Sequence, residues 1–256
     1  MTGTQPPPSV AVRYGNFLFR YRNALFPAVL VLLFVLFRPR YLRGSERLDA
    51  WVDALGVLVA LKGQILRAIV IGYVYILRGG RDHKVYAEDL VTGGLFAHSR
   101  NPLYLGNLLI LFGLFLIHGN PWVLGLGAAF FLTGYGAIVA AEEYYLAGKF
   151  GAAYEAYVRD VPRWLLRLEG LRRSLDGMAF NWRRVVTKEY GSTFMWMAGA
   201  VLLLTQETLA HHSWQERETR MTFLGVAMGV LLLSWGTARF LKKTGRLRKK
   251  DLRPAA

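Results

Sequence analysis

Two polar clusters stand out in a chain that is otherwise poor in charge. The first contains His98, Arg100, Asn101 and Tyr104; the second contains Glu142, Glu143, Tyr154, Tyr157 and Arg163. Together they supply an imidazole, guanidiniums, phenols and a carboxylate pair. Neighbours on a helix point about 100° apart, so Glu142 and Glu143 cannot clamp one small ion together. One carboxylate can hold an ammonium or hydroxyl group while the other makes a structural hydrogen bond. The competing reading is a pair that only marks the end of an apolar run. The TGGLF segment (Thr92–Phe96) leads into the first cluster, where bare glycine backbone lets a ligand approach closely.

Other chemistries lack their residues. The chain has no Cys, which removes disulfide frameworks, thiolate zinc sites and cysteine nucleophiles. His211 and His212 are adjacent imidazoles with no third ligand at metal spacing, so no metal centre is read there. The patterns of zinc proteases, nucleophile-elbow hydrolases, dinucleotide folds and P-loops are absent.

The elements that position the two clusters follow from the apolar pattern. Of 256 residues, 54% are apolar and 19% charged, against about 25% charged in an ordinary globular domain. Uncharged runs cover 24–37, 103–117, 121–141, 191–206 and 221–238. A bilayer core needs about 20 apolar residues per helical span. The fold class expected is therefore all-α and polytopic, with about six transmembrane helices. The net charge of +15 could suggest nucleic acid, but the basic residues collect at the ends of apolar runs. Eight Lys/Arg and one acid over Arg239–Arg253 suit an anionic membrane face, and no nucleic-acid partner is expected.

Along the chain, residues 1–18 read as a flexible tail, because Pro6–Pro8 oppose a helix, and no cleavable signal peptide is evident. Residues 19–77 read as two spans, the second carrying Lys62, Gln64 and Arg67; that span either turns a polar face to protein or leaves the membrane early. Residues 78–190 hold both clusters around a hairpin whose turn is His118, Gly119 and Asn120, with Pro121 opening the next helix. So short a turn brings the segment before the third span and the acidic pair after the fourth to one membrane face. Trp164, Leu165, Leu166 and Leu168, beside Arg163 and Arg167, suggest an interfacial helix. Residues 191–240 read as a second hairpin and 241–256 as a basic tail. The basic segments place the site on the cytoplasmic side, although the loop Arg38–Ala50, with four Arg, falls outside in a six-span scheme.

LVTGGLFAHSRNPLYLGNLL (Leu90–Leu109) followed by EEYYLAGKFGAAYEAYVRDVPRW (Glu142–Trp164) resembles the isoprenylcysteine carboxyl methyltransferase and phospholipid methyltransferase families. The first part matches at Gly94, Phe96, Arg100, Asn101, Pro102, Tyr104 and Gly106. The second matches at Glu142, Glu143, Leu146, Phe150, Gly151, Tyr154, Tyr157, Val161 and Arg163. The resemblance implies an integral-membrane methyltransferase of the bacterial inner membrane that uses S-adenosylmethionine and a lipid-like or hydrophobic acceptor. It implies cofactor contacts from Gly94, Phe96, His98, Arg100, Asn101, Pro102, Tyr104, Glu142, Glu143 and Tyr154. Arg163, Tyr104 and Tyr157 become the residues expected at the reaction itself. Two alternatives stay open: a sterol-reductase-like enzyme using NADPH, and a non-catalytic membrane scaffold of the same fold.

Overall fold

The computed structural model describes residues 6–41, 44–74, 84–211 and 214–247. Its elements are α1 (Val10–Leu36), α2 (Glu46–Tyr73), α3 (Pro102–His118), α4 (Pro121–Phe150), α5 (Ala152–Asp160), α6 (Leu171–Leu175), α7 (Trp182–His211) and α8 (Trp214–Lys243), with a 3-10 turn at Gly94–Ala97. The all-α expectation holds. Gly79 and Gly80, His212 and residues 248–256 of the basic tail lie outside the described residues.

Helix α1 begins at Val10, directly after the proline run, so helix replaces half of the tail expected over 1–18. The reason is local: Ser9 caps the helix, its hydroxyl accepting the Val12 N–H at 3.3 Å. Four described helical stretches are long and apolar enough to cross a membrane: Val10–Leu36, Glu46–Tyr73, Pro121–Phe150 and Arg217–Lys243. Helix α3 is apolar but has 17 residues, about 25 Å of rise against a hydrocarbon core of about 30 Å. Helix α7 has the length, but Arg183, Arg184, Lys188 and Glu189 occupy its first turns and Glu207 follows its uncharged run, which is shorter than a full span. Among the described residues four helices have the full length and apolarity of a span, and α3 and α7 are the remaining helices among the about six expected. Phe223, Val226, Val230 and Leu233 lie outward on α8, as lipid contact requires. The chain is an integral membrane protein.

The chain divides into two compact units. The first comprises Met1–Arg38, Val74–Leu108 and Pro121–Met178; the second comprises Pro39–Tyr73, Leu109–Asn120 and Ala179–Ala256. In the first, α1 packs along α4. Leu18, Phe131, Ile138 and Val139 are fully buried, and Phe26 meets Phe130, Phe131 and Tyr135 edge-on. Gly15 permits the contact: a Cβ there would fall 1.9 Å from the Ala137 carbonyl oxygen.

In the second unit, α2 packs on α7, and Gly56 and Gly113 bring two backbones together. A Cβ on Gly113 would sit 2.4 Å from the Gly56 oxygen, the small-residue contact favoured between membrane helices. Arg67 on α2 is buried and bonds Glu189 through Nε at 2.8 Å and Nη2 at 2.9 Å. Gln64 donates to the same carboxylate and accepts from Trp196 Nε1. Gln64 and Arg67 therefore face protein, whereas Lys62 is exposed, and the helix ends at Tyr73.

The interfacial helix expected at Trp164–Leu168 does not form. Between α5 and α6 the backbone is extended and turned, with Leu165 and Leu168 exposed. Its carbonyls and amides are used elsewhere: Arg100 N donates to Pro162 O, and Arg167 N donates to His98 O. A helix would have to give up these bonds.

Candidate functional site

The site belongs to the first unit and is built from three pieces: the Gly94–Tyr104 segment, the C-terminal part of α4, and the strap 161–167 that follows α5. Gly94 has φ +59 and sits against Val74 and Met178, so an L-residue would be strained and crowded there. The next turn is fixed by Tyr157, whose hydroxyl donates to the Phe96 carbonyl at 2.7 Å.

Three contacts lash this segment to the strap besides the two backbone bonds, and a fourth ties it to α6. Asn101 Nδ2 donates to Arg163 O at 2.9 Å, and Ser99 Oγ donates to Trp164 O. His98 lies between the Arg167 carbonyl, 2.7 Å from Nδ1, and the Ser174 hydroxyl, 2.8 Å from Nε2. A carbonyl only accepts, so Nδ1 carries the proton that it donates to Arg167 O, and Nε2 faces the Ser174 hydroxyl. His98, Asn101 and Pro102 are all buried. Both ring nitrogens of His98 and the amide of Asn101 thus hold the loop in shape.

The acidic pair diverges as the helix geometry requires. Glu143 turns toward two guanidiniums: Arg100 Nη1 donates to Oε1 at 2.8 Å, and Arg163 bonds it through Nε and Nη2. Glu142 turns toward Tyr104, whose hydroxyl donates to Oε1 at 2.5 Å. Arg22 on α1 in turn donates to the Tyr104 hydroxyl at 3.0 Å. Each carboxylate of the acidic pair is therefore engaged by a different polar partner.

Sequence reasoning missed Arg22, which reads as an arginine snorkelling at a helix end. Its signal is position: three residues beyond Phe19, one turn on, it lies over that ring at 4.0 Å and inside the packed face of α1. Ser174, the second partner of His98, carried no signal at all, because nothing in the local pattern links α6 to residue 98.

Two phenols complete the wall. Tyr154 is buried, and its rings and those of Tyr157 lie 6.2 Å apart. Burial, with the Glu143 charge second, pushes the Tyr154 hydroxyl up to about 12. Burial, with Tyr154 second, also holds Tyr157 well above the ordinary phenol value. Both remain proton donors at neutral pH. The hydrogen bonds to Glu143 hold the Arg163 guanidinium above its ordinary value, and its side chain is 45% exposed.

The structure thus brings together Phe96, Arg100, Tyr104, Glu142, Glu143, Tyr154, Tyr157 and Arg163. The arrangement offers carboxylates to a cation, guanidinium N–H groups to an anion, and aromatic faces between them.

Parts of the chain are similar to known proteins. Residues 55–153 match the phospholipid methyltransferase family. The cobalt-zinc-cadmium resistance protein CzcN of Cupriavidus metallidurans is 29% identical over 163 residues, 63% of this chain and 71% of that protein. The nickel-cobalt-cadmium resistance protein NccN of Alcaligenes xylosoxydans xylosoxydans is 22% identical over 200 residues, 77% of this chain and 88% of that protein. No solved structure matches. The matched stretch, residues 55–153, contains the R-N-P segment and the acidic pair, and over it the chain is similar to phospholipid methyltransferases.

Proposed function

We propose that this site binds S-adenosylmethionine and that the protein methylates a lipid-like or hydrophobic acceptor, a phospholipid amine or an isoprenylcysteine-like carboxylate. The observation that carries the reading is the convergence of the two family motifs on one another through Arg100–Glu143 and Tyr104–Glu142.

The residues fit such a ligand. Arg100 Nε is buried and has no hydrogen-bond partner among the described residues, so it is available to a carboxylate. Glu142 spends Oε1 on Tyr104, is only partly buried, and can receive an ammonium or ribose hydroxyl through its other oxygen. Tyr104, Tyr154 and Phe96 offer ring faces that favour a sulfonium cation. S-adenosylmethionine held by Arg100 and Glu142 would supply an activated methyl group to a carboxylate, or to an amine that has first released its ammonium proton to solvent.

What the protein contributes is position. The strap and His98 hold the Gly94–Tyr104 loop, Glu143 aligns Arg100 with Arg163, and Arg22 orients Tyr104 and through it Glu142. Asn101 and Pro102 start α3 at a fixed place. Alignment of this kind supplies much of the acceleration of an in-line displacement. Arg163, being half exposed, is placed to meet the acceptor, and Tyr157 to keep the loop closed. An acceptor dissolved in the bilayer reaches the site laterally. The basic segments favour a site on the cytoplasmic side of a bacterial inner membrane.

Incubating membranes that contain the protein with methyl-labelled S-adenosylmethionine, then extracting lipids and protein, tests this directly. A labelled hydrophobic product that vanishes in Glu142→Ala is expected; no labelled product in any extract would refute it. The relatives named for cobalt, zinc, cadmium and nickel resistance favour one further assignment: that the methylated product serves tolerance of divalent metal ions. Growth of a deletion strain under cadmium or zinc, unaltered from its parent, would remove that assignment and leave the methyl transfer untouched.

A further inference from the structure

The second unit holds a group of carboxylates that the reaction above does not use. Asp49 and Asp53 lie one turn apart on α2, and α7 brings Glu207 to them; one oxygen from each lies within 4.8 Å of the other two. Asp49 is 3% exposed and Glu207 6%. The Glu207 Oε2 atom, although buried, has no hydrogen-bond partner among the described residues, and neither has Asp53 Oδ1. A buried carboxylate left in this state is costly, and inside a membrane protein it marks a functional position.

The same unit shows how this fold satisfies a buried acid that needs no ion. Glu189 receives a two-pronged Arg67 together with Gln64 and Ser192. Among the described residues, Glu207 Oε2 receives no such donor. The guanidinium of Arg220, whose charge reaches Asp53, is committed to the exposed Glu46 carboxylate at 2.7 Å. Gly119, at φ +68, presses the His118–Asn120 turn against this corner: a Cβ on it would stand 2.4 Å from the Arg40 carbonyl oxygen and 3.5 Å from Asp49 Oδ1.

We propose that Asp49, Asp53 and Glu207 bind one hard divalent cation of the Ca²⁺, Mn²⁺ or Mg²⁺ class. The donors are all carboxylate oxygens, the set such ions prefer over soft or nitrogen-seeking metals. Oxygens facing each other across Ca²⁺, bound at about 2.4 Å, stand about 4.8 Å apart, and adjacent ones stand closer. The spread of the three side chains therefore suits one ion, whose two positive charges compensate most of the clustered negative charge. Sequence reading named no metal ligands, because Glu207 lies far along the chain from the two aspartates.

The test uses the full chain in detergent, stripped with EDTA and titrated with Mn²⁺ while the signal of the free ion is followed by electron paramagnetic resonance. One saturable equivalent is expected for the wild type, displaced by Ca²⁺ or Mg²⁺. The Asp53→Asn/Glu207→Gln variant should bind at least about tenfold more weakly, since loss of an outer-shell partner alone costs that much. Without metal, this variant should melt no lower than the wild type, because repulsion has been removed. Mn²⁺ should raise the melting temperature of the wild type only. No saturable binding to the wild type would overturn the proposal, as would undiminished binding to the variant; Asp49→Asn provides the same comparison independently.

Discussion

The pairing of Arg100 with Glu143 gives a sharp quantitative test, because Glu143 is shared by two arginines in different surroundings. Arg100 and Glu143 are 14% and 16% exposed and meet at 2.8 Å, whereas Arg163 is 45% exposed. A hydrogen bond to a charged group in a largely dry setting contributes about 1.5–3 kcal/mol. A half-exposed ion pair contributes about 0.2–1 kcal/mol. Two double-mutant cycles, Glu143→Gln with Arg100→Gln and Glu143→Gln with Arg163→Gln, should therefore give clearly unequal coupling energies. The readout is unfolding in detergent, where each 1 kcal/mol corresponds to about 2–4 °C for a chain of this size. Equal couplings, or an Arg100 coupling below about 0.5 kcal/mol, would refute the reasoning. The two motifs would then lie near one another without this pair holding them.

Gly15→Ala should destabilise the first unit by at least about 1–3 kcal/mol, since the added methyl meets the Ala137 carbonyl rather than a flexible side chain; an unchanged melting temperature would contradict the packing of α1 on α4. Arg67→Met should cost about 3–5 kcal/mol by leaving Glu189 buried without its cation, and Arg67→Met/Glu189→Leu should recover most of it. Recovery measured as thermal stability decides the point. The raised phenols predict a pH effect of defined sign. Tyr154 and Tyr157 keep their protons in the folded protein to higher pH than the ordinary phenol value of about 10, so their contribution is intact below pH 10 and drains as pH rises toward 12. Tyr154→Phe/Tyr157→Phe should flatten that alkaline fall, and a slope identical to wild type would argue against it.

The clusters at 98–104 and 142–163 were legible because each is compact in sequence and separated from the other by two apolar runs around a three-residue turn. That turn alone requires the two clusters to meet, and Arg100 and Tyr104 do meet Glu143 and Glu142. The divergence of the acidic pair was likewise a consequence of helical periodicity. The strap at 161–167 was misread as a helix because its apolar residues mimic an amphipathic face. What decides its backbone is a set of bonds to residues 98–101, over sixty positions earlier, which no local pattern carries. Arg22 was hidden for the opposite reason: an arginine near the end of an apolar run looks like a membrane anchor until the phenol it serves is in place. The carboxylates at 49, 53 and 207 were invisible because Glu207 stands more than 150 positions from the two aspartates and only the packing of α7 on α2 joins them.

Calorimetric titration of the purified, detergent-solubilised chain with S-adenosylmethionine and, separately, with NADPH bears most directly on whether this corner of the fold receives a methyl donor. Saturable heat with S-adenosylmethionine alone, weakened in both Glu142→Ala and Glu143→Ala while each variant still inserts and folds, is the outcome expected. Heat with NADPH alone, or with neither compound, would contradict the account.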